Sequence, residues 1–281
     1  MTSNIRTAFL LILLSGLMLF IGRAMGGSSG LLIAGGFALV MNVGSYWFSD
    51  KIVLAAYKAK QLSPEEAPML HRMVEEMSAA AGIPKPRLFV IPDPSPNAFA
   101  TGRDPEHAVV AVTEGILRLL SPDELRGVVA HELGHIVNRD ILVQSIAGVL
   151  ATVIMFLANM MKWGAIFGGG RSSESGSNNI FGVLALALLA PIAASLVQFA
   201  ISRSREYLAD ETGARLCGNP RSLASALGKL TSYVEQRPME HGNQATAHMF
   251  IVNPFSAAGL RGLFSTHPPV EERIRRLNDM R

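Results

Sequence analysis

The run SPDELRGVVAHELGH, Ser121 to His135, predicts a helix that carries a metal site. Ser121 stands as the N-cap, Pro122 takes the first helical position, and Glu124 follows three residues after the cap, which is a capping box. Leu125, Val128, Val129, Leu133 and Ile136 recur at helical spacing, so the helix runs for about four turns and is apolar on one side. Its last five residues have the form HExxH. Side chains four positions apart stack on one helical face. His131 and His135 can therefore reach one zinc ion, while Glu132 reaches a water beside it.

Hydrolytic zinc takes three protein ligands and leaves one position for water. The third is expected downstream on another helix. Cys217 is the only cysteine, so no intrachain disulfide forms and any zinc is held by histidine and carboxylate. The best candidate lies in SRSREYLAD, residues 202–210. Glu206 and Asp210 share a helical face. A carboxylate at 206 can ligate the metal, and one at 210 can accept the outer N–H of a ligand histidine and fix its ring. Read alone, the same stretch also describes a solvated charged helix, with Arg203 and Arg205 beside Glu206 and Asp210.

Charged residues make up only 17% of the 281 and hydrophobic residues 49%. Soluble domains carry about 25% charged residues, so the deficit points to a membrane. A net charge of +3 with no basic run gives no case for a nucleic-acid partner. Four segments read as spans: 7–22, 30–48, 141–161 and 180–201, the last kinked at Pro191. The first is short and also reads as a signal peptide, with Arg6 as its basic region and Ala24-Met25-Gly26 as a poor cleavage site. Lys51, Lys58, Lys60, Arg139, Arg203 and Arg205 flank one side, against Arg23, Lys162 and Arg171 on the other. The positive-inside rule then places the N-terminus, residues 49–140 and residues 202–281 in the cytoplasm of a multi-pass inner-membrane protein.

The predicted class is α+β: a small sheet, a majority of helix, and about four transmembrane helices. Residues 1–48 hold two spans. Residues 49–140 hold an amphipathic helix at 64–82, strands at Arg87–Ile91, Asn97–Thr101 and His107–Val112, a helix at 113–120, and the HELGH helix. Residues 141–201 form a membrane hairpin around a Gly/Ser-rich loop at 164–179. Residues 202–281 hold helices at 203–217, 220–236 and 269–280, with a loop-like 237–268 in which Met249–Val252 reads as local core. Two crossings return residue 206 to the side of His131. The third span starts within about two turns of His135, so a metal there lies near the bilayer surface.

HELGHIVNRD, a membrane hairpin and then SREYLADETGA (Ser204–Ala214) resemble the HtpX-type membrane zinc metalloproteases, relatives of the CAAX prenyl proteases. NAFATG at Asn97–Gly102 is similar to a segment the family carries ahead of HExxH. STHPP at Ser265–Pro269, followed by Glu272-Arg273-Ile274, is similar to its C-terminal signature. The two N-terminal spans match as well, so the resemblance covers nearly the whole chain.

The resemblance implies a zincin-like protease domain with one zinc per chain, held by His131, His135 and Glu206, with Glu132 as base and Asp210 turned towards His131. It implies that Asn97, Ala98, Phe99, Ala100 and Thr101 line the cleft as an edge strand, where an extended peptide adds as a further strand. His267, held between the prolines of its loop, is the candidate donor to the oxyanion; a loop histidine bonded to backbone is the plain alternative, and Arg203 and Arg205 are weaker candidates. The implied activity is that of a membrane-anchored endopeptidase cutting polypeptide substrates, among them misfolded membrane proteins. A catalytically silent membrane scaffold has no need of Glu132, and prenyl-protein processing relatives have more spans than the four read here.

Overall fold

The computed structural model describes residues 3–147, 149, 203–237, 251–252 and 268–280. Helix α1 (Ser3–Ala56) opens the chain. It folds back on itself at Gly27, which takes a left-handed φ of 58° that a side chain would resist. Asn42 Nδ2 donates to Ser15 Oγ at 2.8 Å; a straight helix would hold these residues about 40 Å apart. The expected pair 7–22 and 30–48 is thus joined by a tight turn. Among the described residues, one helical stretch, Gly27–Ala56, is long and apolar enough to cross a membrane.

Four strands follow: β1 (Lys60–Gln61), β2 (Arg87–Ile91), β3 (Ala98–Thr101) and β4 (Val109–Thr113). Their order is β1-β2-β4-β3, with β2 and β4 parallel and both outer strands antiparallel. Strand β4 alternates faces. Val110 and Val112 enter the main core, while Val109 and Ala111 pack with Val53 and Leu54 of α1 on the other side. The sheet therefore joins the end of α1 to the helices that carry the site. Strand β1 was not anticipated, because two exposed residues have no hydrophobic pattern to read.

Helix α2 (Pro68–Ala81) starts four residues later than expected. Ala67, ahead of a proline, is held at φ −140°, ψ 61°, outside the helical region. After α3 (Glu114–Leu119) comes α4 (Pro122–Val137), with the complete capping box of Ser121 and Glu124. Helices α5 (Arg203–Cys217), α6 (Pro220–Gln236) and α7 (Val270–Asp279) complete the domain. Leu125, Val128, Val129, Leu133 and Ile136 of α4 are all buried against them, each contributing roughly 1.5–3 kcal/mol of apolar burial.

Glycine sets how closely α4 and α5 approach. A Cβ at Gly134 would stand 2.8 Å from the Ala209 carbonyl oxygen, and one at Gly213 would stand 2.8 Å from the His131 amide nitrogen. With no Cβ at either place the backbones meet, and the carboxylates of α5 come beneath the histidines of α4.

Residues 141–147, the start of the expected third span, are helical and almost wholly buried in protein. Thr101 Oγ1 meets Ser145 Oγ at 2.8 Å, which ties β3 to this segment. The rest of the expected hairpin, including the loop at 164–179, lies outside the described residues.

Glu124 does more than cap. Its carboxylate accepts from Ser225 Oγ and Lys229 Nζ of α6, both at 2.7 Å. Burial raises its pKa, but Lys229, Ser225 and the Ser121 cap outweigh this and bring it from 4.5 to about 2. A depressed folded-state pKa gives stability that is present above pH 4.5 and lost as pH falls towards 2. Glu124→Gln is therefore expected to flatten the loss of melting temperature across that window; thermal melts in detergent at stepped pH check it, and parallel curves for the two proteins refute it.

Candidate metal centre and active site

His131 and His135 project from the buried face of α4, 1% and 4% exposed. Glu206 rises from α5 to meet them. Its Oε2 lies 3.7 Å from His131 Nε2 and its Oε1 3.6 Å from His135 Nε2. Ligands each ~2.0–2.1 Å from a tetrahedral ion stand roughly 3.4 Å from one another. All three ligand atoms lie within 4.8 Å of one another. The charged-helix alternative for residues 203–210 places Glu206 and Asp210 in water; they are 1% and 2% exposed.

Each histidine presents its other nitrogen to an aspartate. Asp210 Oδ1 lies 2.9 Å from His131 Nδ1. Asp140 Oδ2 lies 3.6 Å from His135 Nδ1, brought there by Arg139, whose left-handed φ of 56° turns the chain back after α4. Such partners select the tautomer that leaves Nε2 free for a metal.

The charges also fit a metal. Glu132, Asp140, Glu206 and Asp210 are four buried carboxylates. Among the described residues, Arg273 and Arg205 are the guanidiniums paired with them. With neutral histidines the cluster carries a deficit that a divalent cation balances. Burial disfavours the charged form of His135, yet Asp140, Glu206 and Glu132 outweigh it and raise its pKa to about 9. For His131 burial prevails over Asp210 and lowers the pKa.

Glu132 is 5% exposed, and burial lifts its carboxyl from 4.5 to about 7. Its Oε2 accepts from the Ala100 amide at 2.9 Å. That bond defines the sheet edge. Thr113 N–H donates to Asn97 C=O, so in the alternating antiparallel pattern Phe99 and Thr101 also face β4, while Ala98 and Ala100 turn their N–H and C=O outwards. The Asn97 side chain is engaged within the protein: its Oδ1 accepts from Ile251 N at 3.2 Å. Phe99 packs on Tyr57, away from the cluster. His267 lies outside the described residues.

The Peptidase family M48 model matches residues 64–281 of this chain. The chain belongs to peptidase family M48. It is a protease of that family, and relatives match it over nearly their full length. A Protease HtpX homolog of Syntrophobacter fumaroxidans is 61% identical over 282 residues, covering 100% of both chains. One of Pyrococcus furiosus is 58% identical, covering 97% of this chain and 94% of that one. Among solved structures, S. mikatae Ste24p superposes with a TM-score of 0.53 over 98% of this chain at 21% identity, a likeness of fold. This chain covers 65% of Ste24p.

In this M48 peptidase the sequence marked Arg273 only as part of the Glu272-Arg273-Ile274 signature and gave it no role. Its side chain is fully buried. Nε and NH2 donate to the two oxygens of Asp210 at 2.8 and 2.7 Å, and NH1 donates to Ile251 C=O at 3.2 Å. NH1 also stands 3.8 Å from Glu206 Oε2. The spacing carried a further signal: Val270, Arg273, Ile274 and Leu277 fall at i, i+3, i+4 and i+7, so the arginine sits in the inward stripe of a helix. Arg205, weighed as an oxyanion donor, instead reaches Asp140 with NH1 at 3.2 Å. Asp140 had no spacing signal, since a non-helical turn brings it to His135.

Proposed function

We propose that this M48 protease is a membrane-anchored zinc endopeptidase, and the observation that carries the reading is the buried convergence of His131, His135 and Glu206 beside Glu132. His131, His135 and Glu206 would hold the ion, whose charge and Lewis acidity, when it is bound, acidify a water and polarise a carbonyl. Glu132 takes the proton of the attacking water and delivers it to the leaving amine. Asp210 and Asp140 accept from the Nδ1 side of His131 and His135 and so keep Nε2 of each ring aimed inwards. The outward N–H and C=O of Ala98 and the outward C=O of Ala100, whose N–H is taken by Glu132, bond to an extended peptide main chain, which favours breadth over sequence preference. His267 is the assigned oxyanion donor.

In this reading residues 1–48 are two spans, 49–140 and 202–281 are the halves of a zincin-like cytoplasmic domain, and 141–201 is a hairpin crossing the bilayer. Charge asymmetry across the spans supports the orientation. A cleft beside a membrane segment suits unfolded loops of membrane proteins, hence a role in their quality control.

Glu206→Ala is expected to bind less than a tenth of the wild-type zinc and to lose casein cleavage, because two histidines alone hold zinc weakly. Metal analysis of the purified full chain checks this; unchanged stoichiometry means a different third ligand. A reporter fused after Arg281 is expected to read as cytoplasmic, and alkaline phosphatase activity there would invert the topology.

A further inference from the structure

A cavity of about 330 Å³ opens where α1 ends its apolar stretch. Trp47, Phe48 and Lys51 of α1 line it together with Arg87, Arg103 and Glu106. From Gly27 to Trp47 a helix rises about 30 Å, the thickness of a hydrocarbon core. Tyr46, Trp47 and Phe48 are 38%, 51% and 49% exposed, as aromatic residues at the membrane–water boundary are. From the reading that Gly27–Ala56 crosses the bilayer, we propose that this cavity binds a phospholipid headgroup bearing a phosphodiester and a primary ammonium.

The charges select that class. Arg87 is engaged by Asp50 at 2.7 Å, and Arg103 is shared with Asp104 at 3.3 Å. Arg103 also lies over the Trp47 ring, 4.7 Å from its centroid, and one of its terminal nitrogens meets His107 Nε2. Lys51 has only the Phe48 ring, at 5.3 Å, among the described residues. Lys51 and Arg103 thus offer donors to a phosphate, while exposed Glu106 on the same cavity offers an acceptor to an ammonium. Lys51, Arg87 and Arg103 are matched by Asp50, Glu106 and the Asp104 that pairs with Arg103, so the charges balance and a purely anionic headgroup gains little. A choline headgroup has no N–H to give Glu106. The acyl chains have a place: Val40 and Val43, 68% and 50% exposed, continue down α1 from Trp47 on one face.

The test uses the delipidated full chain in detergent, titrated in native mass spectrometry with short-chain phosphatidylethanolamine, phosphatidylcholine and phosphatidylglycerol, and with soluble phosphoethanolamine. The ethanolamine lipid is expected to bind with one-to-one stoichiometry ahead of the other two. Lys51→Ala/Arg103→Ala should weaken it roughly tenfold, and Glu106→Gln should abolish its advantage over the choline lipid. Equal affinity for all three lipids, or unchanged binding in both variants, overturns the site. Phosphoethanolamine binding as tightly as the lipid overturns the lipid assignment. Alkaline carbonate extraction tests the span separately: a chain stripped from membranes refutes the reading beneath the proposal, whereas a retained chain without the preference refutes the site alone.

Discussion

Glu132→Gln keeps its metal and loses peptide cleavage by about 10²–10⁴-fold. Glutamine has the shape of glutamate and retains an oxygen to accept the Ala100 amide, the bond that places Glu132 at the edge of β3. It adds no charge to a cluster that already holds three further buried carboxylates. What it lacks is a lone pair basic enough to take a proton from water. The three converging ligand atoms, on His131, His135 and Glu206, are untouched. Zinc stoichiometry and casein turnover, measured on the same detergent preparations, separate the two effects. Turnover within tenfold of wild type would remove Glu132 from the role of base, and a matching loss of zinc would show the variant to be damaged at the metal instead.

Arg273→Met is expected to lower stability by about 3–5 kcal/mol, because it strands buried carboxylates without their cation. Arg273 spans Asp210 with two short bonds and stands near Glu206 and the ring of His131. Its charged form is strongly favoured, since Asp210, Glu206 and Glu132 outweigh the burial that opposes it. In return it holds Asp210 ionised, at about 2, despite burial. Methionine fills similar volume, so the loss reports charge more than packing. For a chain of this size the change corresponds to a melting temperature lower by roughly 10 °C. Adding Asp210→Asn to Arg273→Met should cost less than the sum of the separate changes, since each removes the other's partner. A melt within two or three degrees of wild type, or strict additivity, would show that Arg273 does not anchor the cluster.

Arg273 also marks where reading from sequence stops. Helix α4 was legible because its signals are local. The Ser121 cap, Pro122 and Glu124 act within one turn, and each step of the apolar repeat spans no more than about a turn. Glu206 and Asp210 were legible as a pair because their spacing is a helical property. The start of α2 was misjudged because acidic residues before Pro68 resemble a first helical turn, while the proline excludes the preceding residue from one. Strand β1 escaped because its pairing with Val90 and Phe89 is made by backbone atoms that no side-chain pattern reports. Asn97 was expected in the strand, but β3 starts one residue later, and the partner of its side chain, Ile251, is 154 residues away.

Local chemistry in the sequence determined that this chain carries a capped HExxH helix, a later carboxylate pair and long apolar segments, since caps, helical spacing and hydropathy need only neighbours along the chain. The tertiary structure alone decided that Gly134 and Gly213 let α5 lie against α4, and that Arg273 and Asp140 close on the two histidines from α7 and from a left-handed turn. The physical reason is distance along the chain. Backbone contact through a missing Cβ and charge balance in a buried cluster depend on groups as many as 142 residues apart, and only the fold brings them within reach of one another.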